Sequence, residues 1–138
     1  MKNTKKTTQS FYTTWRDPIY CARMHWIIED DLIKAKSTAQ SKARVNLDIS
    51  GLQTYARSIT FDRADNGIVI LTREFCGDAE SISTLAHELV HATNRILHDA
   101  GVRQNFGASL DAMDDEAFAY LFGWELNQAL TLWGRCRH

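Results

Sequence analysis

A chain of 138 residues is long enough for one domain with one buried core. Its 16 Lys and Arg against 17 Asp and Glu leave a net charge of −1, which gives no electrostatic footing for nucleic acid or an anionic membrane surface. The apolar share of 44% is ordinary for a globular protein, and three cysteines without C-x-x-C spacing fit free thiols in a reducing cytoplasm better than a disulfide framework or a cysteine zinc knot.

Residues 1–14 are rich in Thr and Lys and are expected to form a flexible N-terminal arm, with residues 15–138 as a single domain. The basic, polar start has no apolar run behind it, so neither a signal peptide nor a membrane anchor is expected, and no later stretch is long enough to span a bilayer. Trp15-Arg16-Asp17-Pro18 reads as a turn into a strand over residues 19–28, which is aromatic and rich in β formers. His25 inside it suits a half-buried strand position, since no partner spacing supports a ligand role. A helix is expected over residues 29–45. Its acidic start and its later Lys34, Lys36, Lys42 and Arg44 match the helix dipole, and Leu32, Ile33, Ala35 and Ala39 form its inner face.

Gly51 breaks the chain. Residues 54–61 alternate as a strand, residues 62–67 form a turn ending in Asn66-Gly67, and residues 68–72 form a buried strand, together a β-hairpin. The next helical pattern covers residues 80–98, with Asp78 or Ser81 as its cap and Gly101 as its stop. After a loop over residues 102–110, Ser109 or Asp111 opens a last helix over residues 114–133, ended by Gly134. Phe118, Leu121, Phe122, Leu126 and Leu130 give it an apolar stripe, and Trp124 and Trp133 are expected in the core. The order is β-α-β-β-α-α. The fold class is α+β, a small antiparallel or mixed sheet of about three strands packed on the two later helices.

The 80–98 helix contains H-E-x-x-H: His87, Glu88 and His91. Positions i and i+4 lie one turn apart on one face, so both imidazoles aim at one point, an arrangement suited to Zn²⁺. Glu88, one residue step round, can stand beside the metal as a base without ligating it. Leu85, Ala86, Leu89 and Val90 are apolar and bed the motif against the protein. A bland alternative is a pair of core or surface histidines on an amphipathic helix.

A catalytic zinc needs a third protein ligand. His98 lies on the same face as His87 but roughly 10 Å beyond His91 along a straight helix. Asp99 and Asp111 are short carboxylates near helix ends and rank low. Glu116, in the first turns of an otherwise apolar helix with the small Ala119 beside it, fits the two-His-one-Glu pattern best. Asp114 and Asp115 are explained by the helix dipole, and Asp115 can equally hold a histidine N–H. Tyr120, one turn after Glu116, is placed either to orient an imidazole or stabilise an oxyanion, or to fill the core.

Leu85-Ala86-His87-Glu88-Leu89-Val90-His91-Ala92 paired with Asp115-Glu116-Ala117-Phe118-Ala119-Tyr120-Leu121 resembles small zinc-peptidase-like proteins encoded by tailed bacteriophages. More broadly it resembles the smallest gluzincins, whose third ligand is a glutamate. Pro18-Ile19-Tyr20 and Gly67-Ile68-Val69-Ile70 look like strands of that group, and the likeness covers most of residues 15–130. It implies a zincin-like fold and one Zn²⁺ held by His87, His91 and Glu116, with a host-cytoplasmic setting. Larger gluzincins carry a carboxylate one turn after the glutamate ligand, where this chain has Tyr120.

The expected activity is that of a zinc metallopeptidase acting on a protein or peptide, with Glu88 as general base and Tyr120 assisting. The strand over residues 68–72, if at the sheet edge, would align an extended substrate. Two rivals carry the same ligands: a non-catalytic, zinc-stabilised virion or host-interaction protein, and a hydrolase acting on a non-peptide substrate. No nucleic-acid or membrane partner is expected, and the sequence indicates no oligomeric state.

Overall fold

A computed structural model describes residues 9–49, 56–60, 67–102 and 116–137. Four strands, β1 (Phe11–Arg16), β2 (Arg23–Ile28), β3 (Ala56–Thr60) and β4 (Ile68–Thr72), form one mixed sheet in the order β1-β2-β4-β3. The β1/β2 and β3/β4 pairs are antiparallel, and β2 runs parallel to β4, with Met24 opposite Ile68 and Ile28 opposite Thr72. The helices are α1 (Leu32–Thr38), which continues as a π-helical turn through Ala39–Ala43, α2 (Ala79–Asp99) and α3 (Glu116–Arg135). The α+β class therefore holds, with one strand more than expected.

The extra strand corrects the reading of residues 1–14 as an arm, because Phe11 to Thr14 belong to β1. Phe-Tyr-Thr-Thr-Trp-Arg is made of aromatic and β-branched side chains apart from its final Arg, it pairs along its length with β2, and Trp15 enters the core at 5% exposure. Trp15 and Arg16 thus end a strand, and the turn lies at residues 17–22, so β2 begins later than expected, at Arg23. The Asp17 carboxylate organises that turn by accepting the backbone N–H groups of Ile19, Tyr20 and Ala22 at 3.0, 2.5 and 2.7 Å.

Side-chain alternation sends the two faces of the sheet into two cores. Met24, Trp26, Ile28, Ile68 and Ile70 meet α2 and α3 through Leu85, Leu89, Ala92, Ile96, Leu97 and Leu121. Ile27, Val69 and Leu71 face the opposite way, onto Ala35, Ala39 and Ala43 of the first helical segment and onto Val45 and Leu47 beyond it. Ile33, placed on the inner face by the sequence, is 76% exposed. β4 pairs on both sides, so the edge position on which substrate alignment by residues 68–72 is conditional is not met, and β1 and β3 are the outer strands among the described residues.

Asp31 caps α1, its side chain accepting from the Ile33 and Lys34 N–H groups. The helix therefore starts after the Glu29-Asp30-Asp31 run, and Arg44 in the left-handed region ends the π-helical turn. Gly134 does not end α3, which continues through Arg135. Gly51, residues 62–66, most of the 102–110 loop, and Asp111, Asp114 and Asp115 lie outside the described residues. Among the described residues no helix is long and apolar enough to cross a membrane.

Candidate metal centre

Gly77 and Asp78 set the start of the helix that carries the motif. Gly77 has φ +83°, and a Cβ there would lie 2.3 Å from the Trp133 ring, so only glycine lets the chain pass beneath α3. Asp78 then caps α2 by accepting the Ser81 N–H at 2.9 Å, and the Ser81 hydroxyl accepts the Gly77 N–H at 3.0 Å. From that start α2 buries Ser81, Leu85, Glu88, Leu89, Ala92, Thr93, Ile96 and Leu97. It packs against β3, β4 and α3.

This phase leaves His87 and His91 exposed on the outward face, with their rings 4.9 Å apart between centroids and inclined at 75°. Their Nε2 atoms approach to 3.3 Å. Two nitrogens bound at about 2.05 Å to a tetrahedral ion stand about 3.3 Å apart. The imidazole pair thus already has the spacing of one edge of a zinc tetrahedron. Glu88, the residue after His87 in the chain, is only 8% exposed and belongs to the buried side of α2.

The other residues singled out in the sequence stand elsewhere. Glu116 is the exposed first residue of α3, the helix packed beside α2. Among the described residues no three His, Cys, Asp or Glu side chains come close enough together to hold a metal ion, so Glu116 does not close on the histidines in this conformation. Tyr120 is 62% exposed on α3. The His98 side chain is 85% exposed and faces Asp99, whose carboxylate is engaged by Arg95 at 3.0 Å, so neither joins the pair. Trp124 and Trp133 pack against the core as expected.

A polar pocket of about 220 Å³ opens at the N-terminal end of α2, lined among others by Arg73, Glu74, Asp78, Glu80 and Thr84. Thr84 and Glu80 share the α2 face of His87 and His91, and Thr84 is one turn from His87.

Glu125 belongs to no motif in the sequence. It is fully buried on α3, and its Oε2 accepts a hydrogen bond from the Trp15 indole N–H. Burial pushes its carboxyl up to about 7, opposed by the Trp15 bond and reinforced by the nearby Asp17 carboxylate. The available signal was spacing: Leu121, Glu125 and Ala129 recur every four residues, so the glutamate interrupts a buried stripe. His25 is the buried strand histidine that the sequence suggests. Its Nδ1 pairs with the Tyr12 hydroxyl at 2.8 Å, and burial, with Arg23 nearby, lowers its proton affinity.

Comparison of the chain with protein-family models, curated proteins and solved structures gives no match.

Proposed function

We propose that the protein is a zinc-dependent metallopeptidase of minimal gluzincin type. The observation that carries this reading is the 3.3 Å approach of the His87 and His91 Nε2 atoms on α2, within an H-E-x-x-H sequence whose Glu88 follows His87. Glu116, exposed at the start of α3, is the proposed third ligand, and ligation would require the first turn of α3 to move toward the pair, since the two stand apart in this conformation. Zn²⁺ held there would acidify a water and polarise a scissile carbonyl.

The work of the chain itself follows from position. His87 and His91 would hold the ion on a helix whose other face is buried in the core, which fixes their spacing independently of substrate. Glu88 takes a proton from the attacking water and delivers it to the leaving amine. β3, the outer strand against which α2 packs, offers an edge for an extended peptide, and the polar pocket by Thr84 lies one turn from His87 to receive a polar side chain. Tyr120, exposed on α3, is available to a bound substrate.

The test is a peptide-library digest with metal analysis of wild type and Glu88→Gln. Wild type is expected to bind one zinc and cleave. Glu88→Gln should keep the zinc while cleavage falls by about a hundredfold or more. Full activity in Glu88→Gln would remove Glu88 from this role. Bound zinc without cleavage of any peptide by wild type would favour the non-catalytic zinc protein or a non-peptide substrate.

A further inference from the structure

Glu125 has no part in the zinc chemistry, yet it is fully buried. Its Oε2 takes the Trp15 indole N–H from the edge strand β1, and its Oε1 has no hydrogen-bond partner among the described residues. Desolvation makes an ionised carboxylate in that setting far costlier than a protonated one, and this outweighs the Trp15 N–H bond, which by itself favours the charged form. The neighbouring charge is Asp17, itself 1% exposed in the β1–β2 turn. From α2 the buried polar side chains are Ser81, Glu88 and Thr93, and none hydrogen-bonds to Glu125. The sheet contributes Met24, Trp26 and Ile28 to the same core.

We propose that Glu125 is a protonated latch joining α3 to edge strand β1, and that its ionisation loosens α3 and thereby shifts Glu116 relative to the histidine pair. The latch stands on the Trp15 contact and the burial. Only its tie to Glu116 rests on the zinc reading.

The direction of the pH effect follows from proton counting. The folded carboxyl keeps its proton up to about 7, whereas the unfolded one releases it near 4.5. Between those values the unfolded chain binds fewer protons, so stability falls as pH rises. His25 acts in the opposite sense: its lowered proton affinity removes stability as pH drops below its ordinary 6.5.

The experiment uses the full chain without metal. The Trp15 indole N–H resonance, assigned by its loss in Trp15→Phe, is followed from about pH 5 to about pH 9 together with the thermal midpoint. In wild type the resonance should shift with a midpoint at about 7, and the thermal midpoint should fall between about pH 5 and about pH 7 and level off above it. In Glu125→Gln both changes should vanish, while the contribution of His25 remains. A resonance that does not move in wild type, or that moves identically in Glu125→Gln, overturns the latch. If Glu125→Gln fails to fold, the wild-type titration decides alone. Zinc affinity tests the tie to Glu116: above the midpoint Glu125→Gln should bind zinc about fivefold or more tightly than wild type. Equal affinities, or no zinc binding at all, remove that tie and leave the latch standing.

Discussion

Gly77 illustrates how much a single backbone position can carry. Its φ of +83° and the 2.3 Å that would separate an added Cβ from Trp133 rule out a side chain on two separate grounds. Trp133 cannot give way cheaply, because it meets Phe75 edge-on at 5.1 Å, and Phe75 in turn meets Trp26 edge-on at 5.0 Å. Gly77→Ala is expected to cost about 2–4 kcal/mol in urea unfolding, and an unchanged midpoint would show that the α3 contact yields freely. At this scale the histidine pair was readable from the sequence, since its convergence needs only helical periodicity. Glu125 was not, because its role depends on Trp15, which is 110 residues away in the chain.

Each element shows a different balance of local and distant causes. The bounds of α2 differ from the sequence reading by one residue at each end, and its cap is one of the two residues expected. Capping, helical spacing and a glycine stop all act within a few residues of one another. Asp78→Ala should remove the Ser81 N–H contact and lower stability by about 1 kcal/mol, measurable by chemical denaturation. A loss indistinguishable from zero would mean that water replaces the cap without penalty. β1 behaves oppositely: its threonines and neighbouring lysines resemble a solvated arm until β2 supplies a partner along its whole length. The interior place of β4 is likewise set by its two neighbours and not by its own composition, which reads as buried in either position.

At the scale of the whole molecule, a metal joining α2 to α3 would bind the folded state alone and stabilise it by mass action. Zinc at about a hundred times its dissociation constant should raise the melting temperature by on the order of 10 °C, and a chelator should reverse the gain. His91→Ala should abolish the effect, and a zinc-induced rise that survives it would place the ion elsewhere. The sequence by itself determined the α+β class, the motif helix with its convergent imidazoles, the last helix and the 68–72 strand, because periodicity and capping are properties of neighbouring residues. Only the tertiary structure decided that a fourth strand starts the sheet, that β3 and not β4 is an edge, that Glu116 stands apart from the histidines, and that Glu125 is sealed against Trp15. Those outcomes depend on which distant segments pack together, a choice made by burial over the whole chain and not written in the spacing of any short stretch.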